Sequence, residues 1–253
     1  MNNYTIYFSP TGGTERVIKL LAAEFGDCTE IDLSKKDVKD ARWFEQDDLC
    51  IIGVPSYGGR VPAVVLERME NFRGKATKAI LVAVYGNRAY EDTLAELYDF
   101  LVERGFLCVA AIAAIAEHSI MHQFARKRPD NEDAKELAQY AKDIKAKLAN
   151  GCDLKNIGLP GTRPYKEYHG VPLKPKANKK CTNCGKCAKS CPVGAISVDT
   201  PAVTDKNVCI SCMRCVSICP VKARKVSSIL VKIASLKMKN KCEQRKNNQL
   251  FIE

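Results

Sequence analysis

The amino-acid sequence predicts an α/β fold in its first 150 residues, followed by a smaller, cysteine-rich domain. Short apolar runs of the β type alternate with amphipathic helical patterns through residues 1–150, in the order expected of parallel α/β units. The third and fourth runs are nearly continuous in apolar residues, as expected of strands that are covered on both faces. A cysteine pattern then occurs twice between residues 181 and 219. These observations predict a three-layer domain around a five-stranded parallel sheet, and a second domain built on cysteines.

Each strand and helix has its own local pattern. Strands are predicted at residues 4–8, 28–33, 49–54, 79–85 and 107–116. Helices are predicted at residues 14–25, 62–71, 90–104 and 132–150, with a weaker one at 38–44. The helix at 132–150 is the most regular, because Leu137, Ala141 and Ile144 fall on one face. Residues 151–178 are rich in Gly, Pro, Lys and Tyr, which predicts an ordered or semi-rigid linker.

The cysteine pattern is Cys-x2-Cys-x2-Cys-x3-Cys-Pro, and it recurs after 28 residues. Three closely spaced thiolates can bind three iron corners of a [4Fe–4S] cubane, while the fourth cysteine, which precedes a proline, reaches the other cluster. One cluster is therefore assigned to Cys181, Cys184, Cys187 and Cys219, and the other to Cys209, Cys212, Cys215 and Cys191. The alternatives are disulfides or two zinc sites. Zinc takes four ligands from two Cys-x2-Cys pairs, which leaves the third cysteine of each run without a role.

Residues 181–224 resemble the bacterial two-cluster ferredoxins throughout. The resemblance implies a low-potential, one-electron carrier. The total of 13 cysteines is odd, which favours metal ligation over a disulfide framework. The cysteines outside the pattern are Cys28, Cys50, Cys108, Cys152 and Cys242. Of these, Cys50 and Cys108 lie in apolar strands and are expected to be small core residues.

Charge separates the two parts of the chain. Residues 151–253 contain 20 of the 40 Lys and Arg but only 6 of the 29 Asp and Glu, so this part carries +14 and the first 150 residues carry −3. A basic half would ordinarily indicate nucleic acid or an anionic membrane as the partner. Two oxidised clusters with their thiolates carry roughly −2 each, which offsets part of this charge. The predicted partners are therefore other redox proteins, and not nucleic acid.

No segment has the length and apolar character of a transmembrane helix, and the N-terminus lacks the pattern of a signal peptide. The sequence therefore predicts a cytoplasmic protein. In the basic tail at 227–253, Ile229, Ile233 and Leu236 recur at helical spacing. The tail is predicted to be partly helical and packed on one of the domains, and the alternative is a docking or membrane-surface element.

The first predicted strand ends in Ser-Pro-Thr-Gly-Gly-Thr at residues 9–14, directly before an amphipathic helix. Hydroxyl groups and backbone N–H groups at a helix N-terminus can bind an anion. The loop has neither the Gly-Lys-Ser/Thr of a Walker loop nor Gly-x-Gly-x-x-Gly. It resembles the Ser-x-Thr-Gly-x-Thr loop of flavodoxins, which implies that it holds the phosphate of FMN by hydrogen bonds. The alternative is a capped turn that binds nothing.

Two further loops, at residues 53–62 and 85–90, follow the third and fourth strands, where open α/β sheets bind ligands. Flavodoxins clasp the isoalloxazine ring with loops in these places. Tyr57 and Tyr90 are the candidates for stacking on that ring, whereas Tyr85 is as readily a core residue. The predicted flavin-binding residues are Ser9, Thr11, Gly12, Gly13, Thr14, Pro55, Ser56, Tyr57, Gly58, Gly59, Tyr85, Gly86, Asn87, Arg88 and Tyr90.

His118 and His122 lie four residues apart after the fifth strand, and on a helix they could share a metal ion. No third ligand is nearby in the sequence. His118 is therefore interpreted as a loop residue near the mouth of the cofactor site, or as a residue without a function.

The two resemblances together cover nearly the whole chain, which is similar to a flavodoxin–ferredoxin fusion, a family found chiefly in anaerobes. They imply a doubly wound flavodoxin-like FMN domain at 1–150 and a small α+β domain with two [4Fe–4S] clusters at 179–226. The implied function is a relay of electrons between the clusters and FMN, which couples one-electron and two-electron carriers.

Two other functions remain open at this point. The first is an FMN-dependent reductase of a small organic substrate, for which Tyr57, Tyr90 and His118 are the candidate acids. The second is a metal-supported nucleic-acid-binding module, which the flavin-type loops disfavour.

Overall fold

A computed structural model describes residues 2–36, 38, 40–149 and 158–252. Its largest unit is a six-stranded sheet in the order β10-β7-β6-β4-β1-β2. The strands of this sheet are β1 (Asn3–Tyr7), β2 (Cys28–Asp32), β4 (Leu49–Pro55), β6 (Thr77–Tyr85), β7 (Phe106–Ile115) and β10 (Gln249–Phe251). The first five are parallel, and β10 joins the β7 edge antiparallel. The five parallel strands have the order second, first, third, fourth, fifth, which is that of the flavodoxin-like doubly wound fold. The predicted fold class is confirmed.

Helices cover both faces of the sheet. One face carries α1 (Gly13–Ala22) and α4 (Asn131–Ala149), and the other carries α2 (Ala63–Arg68) and α3 (Thr93–Val102). A short 3-10 turn, Ala23–Phe25, extends α1. The predicted end of the last helix at residue 150 and the start of the linker at 151–157 lie outside the described residues.

The prediction of a helix at 38–44 is wrong for its last three residues. Residues Arg42–Phe44 form β3, which pairs in parallel with β5 (Phe72–Gly74) in a separate two-stranded sheet. The side chains alternate, since Trp43 is 65% exposed and Phe44 is buried. The Phe44 ring packs at centroid distances of 5.1, 5.7 and 5.5 Å from the rings of Tyr4, Phe72 and Phe106, respectively. These tertiary contacts favour the extended conformation over a short helix.

The cysteine-rich part is small and has two similar halves. Each contains one short helix, α5 (Lys186–Lys189) or α6 (Arg214–Ser217), and the strands β8 (Lys176–Ala177) and β9 (Arg224–Lys225) pair antiparallel. A residue with positive φ precedes each helix, Gly185 at 71° and Met213 at 64°. The repeat seen in the sequence is therefore a repeat of backbone structure.

The described part of the linker is held against the α/β domain by charged contacts. The guanidinium of Arg163 forms a bidentate pair with Asp99 at 2.6 and 2.7 Å. The carboxylate of Asp92 accepts the backbone N–H groups of Thr162 at 2.9 Å and Lys166 at 2.8 Å. These bonds hold the described part of the linker, around residues 162–166, against the α/β domain.

The C-terminal segment returns to the α/β domain. Helix α7 (Ser228–Cys242) lies in the predicted tail, and β10 follows it at the edge of the main sheet. Among the described residues, no helix has both the length and the apolar character needed to cross a membrane.

Candidate functional site

A cavity of about 780 Å³ lies at the carboxyl ends of the parallel strands, where ligands bind in doubly wound sheets. The loops after β1, β4, β6 and β7 all contribute to its walls. Its volume falls in the range of cofactor and small-molecule sites, about 300–1,000 Å³.

The loop after β1 is shaped for an anion. Gly12 has φ +87° and ends the loop, and α1 begins at the next residue. The Ser9 hydroxyl accepts the backbone N–H of Glu15 at 2.9 Å, which fixes the first turn of the helix. Thr11 and Thr14 both line the cavity. The loop thus presents hydroxyl groups and the positive end of a helix to the cavity, and no Lys or Arg.

The loop after β4 is a tight turn. The backbone N–H and C=O groups of Tyr57 and Arg60 are reciprocally bonded at 3.0 and 3.2 Å, and the two central residues, Gly58 and Gly59, have φ +63° and +89°. Glycine is favoured at both positions because positive φ strains other residues. Tyr57 and Gly58 line the cavity, whereas Gly59 lies against the Glu91 side chain instead.

Some residues of the loop after β6 line the cavity, and one contacts the C-terminal segment instead. Gly86 and Arg88 line the cavity, and Arg88 pairs with Glu91 at 2.7 Å. Asn87 turns away, since its buried side-chain amide donates to the backbone carbonyls of Cys242 and Gln244 at 2.7 Å each. Asn87 therefore anchors the C-terminal segment.

Tyr90 also lies away from this cavity. Its hydroxyl donates to the Gln249 side chain at 2.6 Å, and its ring packs edge-on to Tyr85 at 5.3 Å. It lines a neighbouring cavity of about 670 Å³ together with Arg88 and Lys166. Of the two tyrosines predicted to stack on a flavin, the structure brings only Tyr57 to the cavity of the β1 loop.

The loop after β7 contributes His118. Its Nδ1 accepts the backbone N–H groups of Ile120 and Met121 at 3.2 Å each, so Nε2 carries the proton of the neutral ring. Burial lowers the pKa of His118 to about 4. His118 is thus a neutral hydrogen-bond donor at the cavity wall. The Nδ1 of His122 lies 2.7 Å from the Oε1 of Glu117, so the His122 ring is paired with this carboxylate.

Several walls of the cavity come from segments that the sequence analysis did not connect with it. They are the linker at 166–173, the pair Ile210 and Ser211, and one face of α7. The Tyr168 ring packs over the turn after β4, where a Cβ on Gly58 would lie 2.2 Å from it. No local sequence signal points to Tyr168, because its role depends on how the linker folds back.

The eight cysteines of the repeat line two small cavities. The lining of one includes Cys181, Cys184, Cys187 and Cys219. The lining of the other includes Cys191, Cys209, Cys212 and Cys215. We call these groups set one and set two. They coincide with the crossed assignment made from the sequence, and metal ligation by them stays a prediction.

The two sets differ in exposure. Cys184 of set one is exposed, whereas Cys191, Cys212 and Cys215 of set two are buried. Burial raises the pKa of the Cys212 and Cys215 thiols to about 12. A metal bound by set two would have to displace the protons of these thiols, because the thiolate is the form that binds a metal.

Cys219 is held differently from the buried cysteines. Partial burial raises the pKa of its thiol, but the backbone N–H groups of Arg224, Ala223 and Val221 outweigh burial, so that the net shift is downward. The N–H of Ala223 donates to its sulfur at 3.2 Å. Such bonds stabilise the thiolate, which is the form that binds iron.

Set two lies next to the large cavity. Burial raises the pKa of Tyr57 well above its usual value, and the neighbouring Cys212 and Tyr168 raise it further. Ile210 and Ser211 follow Cys209 directly and line the large cavity themselves. The second cysteine run and the loop after β4 thus share a boundary.

Parts of the chain are similar to known proteins. Residues 180–223 match the model of the 4Fe-4S dicluster domain family. A flavodoxin from Streptococcus pneumonia is 17% identical, over 58% of this chain and 99% of its own, with a TM-score of 0.41. Flavodoxin 2 from Bacillus cereus is 15% identical, over 58% and 99%, with a TM-score of 0.43. An azoreductase from Bacillus anthracis is 12% identical, over 60% and 100%, with a TM-score of 0.37. No curated protein matches the chain.

The chain therefore combines a flavodoxin-like α/β part with a ferredoxin-type 4Fe-4S domain. The 4Fe-4S domain supports a role in electron transfer, with iron–sulfur as the cofactor type.

Proposed function

We propose that this protein relays electrons between a redox partner protein, two [4Fe–4S] clusters and FMN. One observation carries the proposal: the segment Ile210 and Ser211 of the second cysteine run forms part of the wall of the flavin-type cavity. Tyr57 of that cavity in turn neighbours Cys212 of set two. A cluster held by set two would lie beside the flavin with no other domain between them.

The difference in exposure gives the relay an order. Set one includes the exposed Cys184 and is the natural place for exchange with a partner protein. Four exposed lysines lie close to Cys184 in the sequence: Lys179, Lys180, Lys186 and Lys189. The partner is therefore expected to be a low-potential donor or acceptor protein with an acidic surface. Set two borders the cavity, so a cluster held there would lie on the way from this entry point to the flavin.

FMN fits the residues of the cavity. Thr11, Thr14 and the N-terminus of α1 would hold its phosphate, and Tyr57 would cover its ring. When bound, FMN supplies a carrier of one or two electrons, whereas each cluster carries one. The linker and α7 also line this cavity, which would limit the access of a partner protein to the flavin. The clusters then become the route by which protein partners exchange electrons.

The relay is tested by rapid mixing of the anaerobically purified protein with a reduced bacterial ferredoxin, while the flavin absorbance is followed. The Cys184→Ala variant should reduce its flavin more slowly than the unaltered protein at every donor concentration. Cys28→Ala is the matched control, because Cys28 begins β2 at the opposite end of the sheet from the cavity. Dithionite should reduce the flavin in all three proteins. Equal rates for Cys184→Ala and the unaltered protein would contradict the relay.

The alternative, an FMN-dependent reductase of a small organic substrate, has one observation in its favour. The cavity extends beyond the four loops of the α/β part to the side of α7, which offers both aliphatic and cationic side chains. A relay between clusters and flavin does not need such a wall.

A further inference from the structure

Helix α7 is held firmly in place over the cavity. Val231, Ala234 and Met238 pack against an apolar cluster that includes Met121 and Phe124 from the loop after β7. The Gln123 side-chain amide donates to the Ser235 hydroxyl at 2.7 Å on the same side. The helix ends at Cys242, whose carbonyl accepts the amide of Asn87. The face that α7 turns to the cavity is therefore fixed by contacts along its length.

That face has an apolar half and a cationic half. Leu230, Ile233 and Ala234 line the cavity near the start of the helix, and Lys237 and Lys241 line it one and two turns further on. Leu230 and Ile233 line this cavity and are 44% and 47% exposed. Aliphatic side chains with this much uncovered surface inside a cavity favour an apolar ligand.

The two lysines are the cations of the cavity that lack a carboxylate. Arg88 and Lys166 also line it, but both pair with Glu91. In the part of the chain that the structure describes, no carboxylate lies within ion-pair distance of Lys237 or Lys241. They are one helical turn apart, so both ammonium groups can approach one anion. The loop at residues 9–14 offers its own hydroxyl and N–H donors to a phosphate, so a phosphate bound there does not need Lys237 or Lys241.

We propose that this face of α7 binds a small organic anion, with a carboxylate or phosphate on Lys237 and Lys241 and an apolar body against Leu230 and Ile233. The site lies in the cavity assigned to FMN, and in this respect it rests on the proposed function. It gives the protein a small-molecule ligand in addition to its redox partner. The shared anion chemistry also fits the FMN phosphate, so the experiment has to separate the two.

The experiment uses the full chain, purified anaerobically with its clusters and flavin, and three probes. Benzoate has a charge and an apolar body, benzamide lacks the charge, and acetate lacks the apolar body. Benzoate should bind more tightly than either, as measured by calorimetry and by a shift in the visible flavin spectrum. Lys237→Gln with Lys241→Gln should weaken benzoate binding by about tenfold to a hundredfold, as expected for the loss of charge-assisted hydrogen bonds.

Lys232→Gln with Lys239→Gln is the matched control, since both of these lysines lie on α7 outside the cavity. It should leave benzoate binding unchanged. Equal binding of benzoate and benzamide, or equal weakening by both double variants, would overturn the proposal. A loss of FMN affinity in Lys237→Gln/Lys241→Gln without any effect on benzoate would assign the lysines to the FMN phosphate, and would also overturn it. The protein could also take up no FMN and still bind benzoate through the two lysines in calorimetry. That result would refute the proposed function and leave this site in place.

Discussion

The crossed cysteine sets predict a pattern of iron loss that an uncrossed arrangement cannot produce. Cys191 ends the first run in the sequence, but it lines the cavity of Cys209, Cys212 and Cys215. Two substitutions in the same set damage one cluster, whereas two substitutions in different sets damage both. Cys191→Ala with Cys212→Ala should therefore retain about four of about eight irons per chain. Cys191→Ala with Cys184→Ala should retain almost none.

Cys219 provides the mirror experiment, because it ends the second run but lines the cavity of set one. Cys219→Ala with Cys184→Ala should retain about four irons per chain. Cys219→Ala with Cys212→Ala should retain almost none. Each of the four variants loses two thiolates from the same small domain, so they are matched in number and kind of substitution. The assay is iron and sulfide analysis after anaerobic purification, with visible absorbance of the clusters and circular dichroism of the fold.

The reverse pattern would refute the crossing. If each run kept its own fourth cysteine, Cys191→Ala with Cys184→Ala would retain about four irons and Cys191→Ala with Cys212→Ala almost none. The contact between set two and the large cavity adds a second readout. Ile210 and Ser211 line that cavity, so damage to set two should disturb flavin binding more than damage to set one.

Three further predictions concern the large cavity in which FMN is proposed to bind. Thr11→Ala with Thr14→Ala removes two hydroxyl groups that line it, and each lost charge-assisted bond should cost about 1.5–3 kcal/mol, or about one to two decades of FMN affinity in a fluorescence titration. An unchanged affinity would exclude this loop from the site. Gly58→Ala places a Cβ at φ +63° and 2.2 Å from the Tyr168 ring, so FMN affinity and thermal stability should both fall. Adding Tyr168→Ala removes the clash but not the strain, and should restore only part of the loss. His118 should titrate near pH 4 by NMR, because burial lowers its pKa from 6.5 to about 4. Folding favours the neutral form of His118, so its contribution to the free energy of unfolding is present above pH 6.5 and is lost as the pH falls through about 4. An NMR titration midpoint near pH 6.5 would contradict the burial of this side chain.

The parallel sheet was predictable because its signals are local. The apolar runs at 49–54 and 79–85 correspond to β4 (Leu49–Pro55) and β6 (Thr77–Tyr85), with ends that differ by two residues or fewer. A strand covered on both faces has to be apolar throughout, and this requirement is visible in the sequence alone. The spacing within each cysteine run is equally local, since it follows from the size of the group that the run encloses.

The features that the sequence could not show depend on contacts between distant segments. Asn87 and Tyr90 follow β6, as flavin-contacting residues should, but their polar groups bond to the C-terminal segment. Nothing near residue 87 in the sequence shows that this segment returns. The same holds for β10, because three residues at 249–251 have no pattern of their own and become a strand only by pairing with the edge of β7.

The return of the C-terminal segment has a consequence for electron transfer. Transfer rates fall steeply with distance, so a cluster domain on a single flexible tether would spend most of its time too far from the flavin. Here the domain is attached to the α/β part on both sides, by the Arg163–Asp99 pair of the linker before it and by β10 after it. Direct contacts add to these attachments, since the Arg68 guanidinium donates to the carbonyl of Pro192 at 2.6 Å. Pro192 directly follows Cys191, so this bond holds set two itself against the α/β part. The two-sided attachment therefore fixes the distance on which a relay depends, and the return of the tail also places α7 over the cavity.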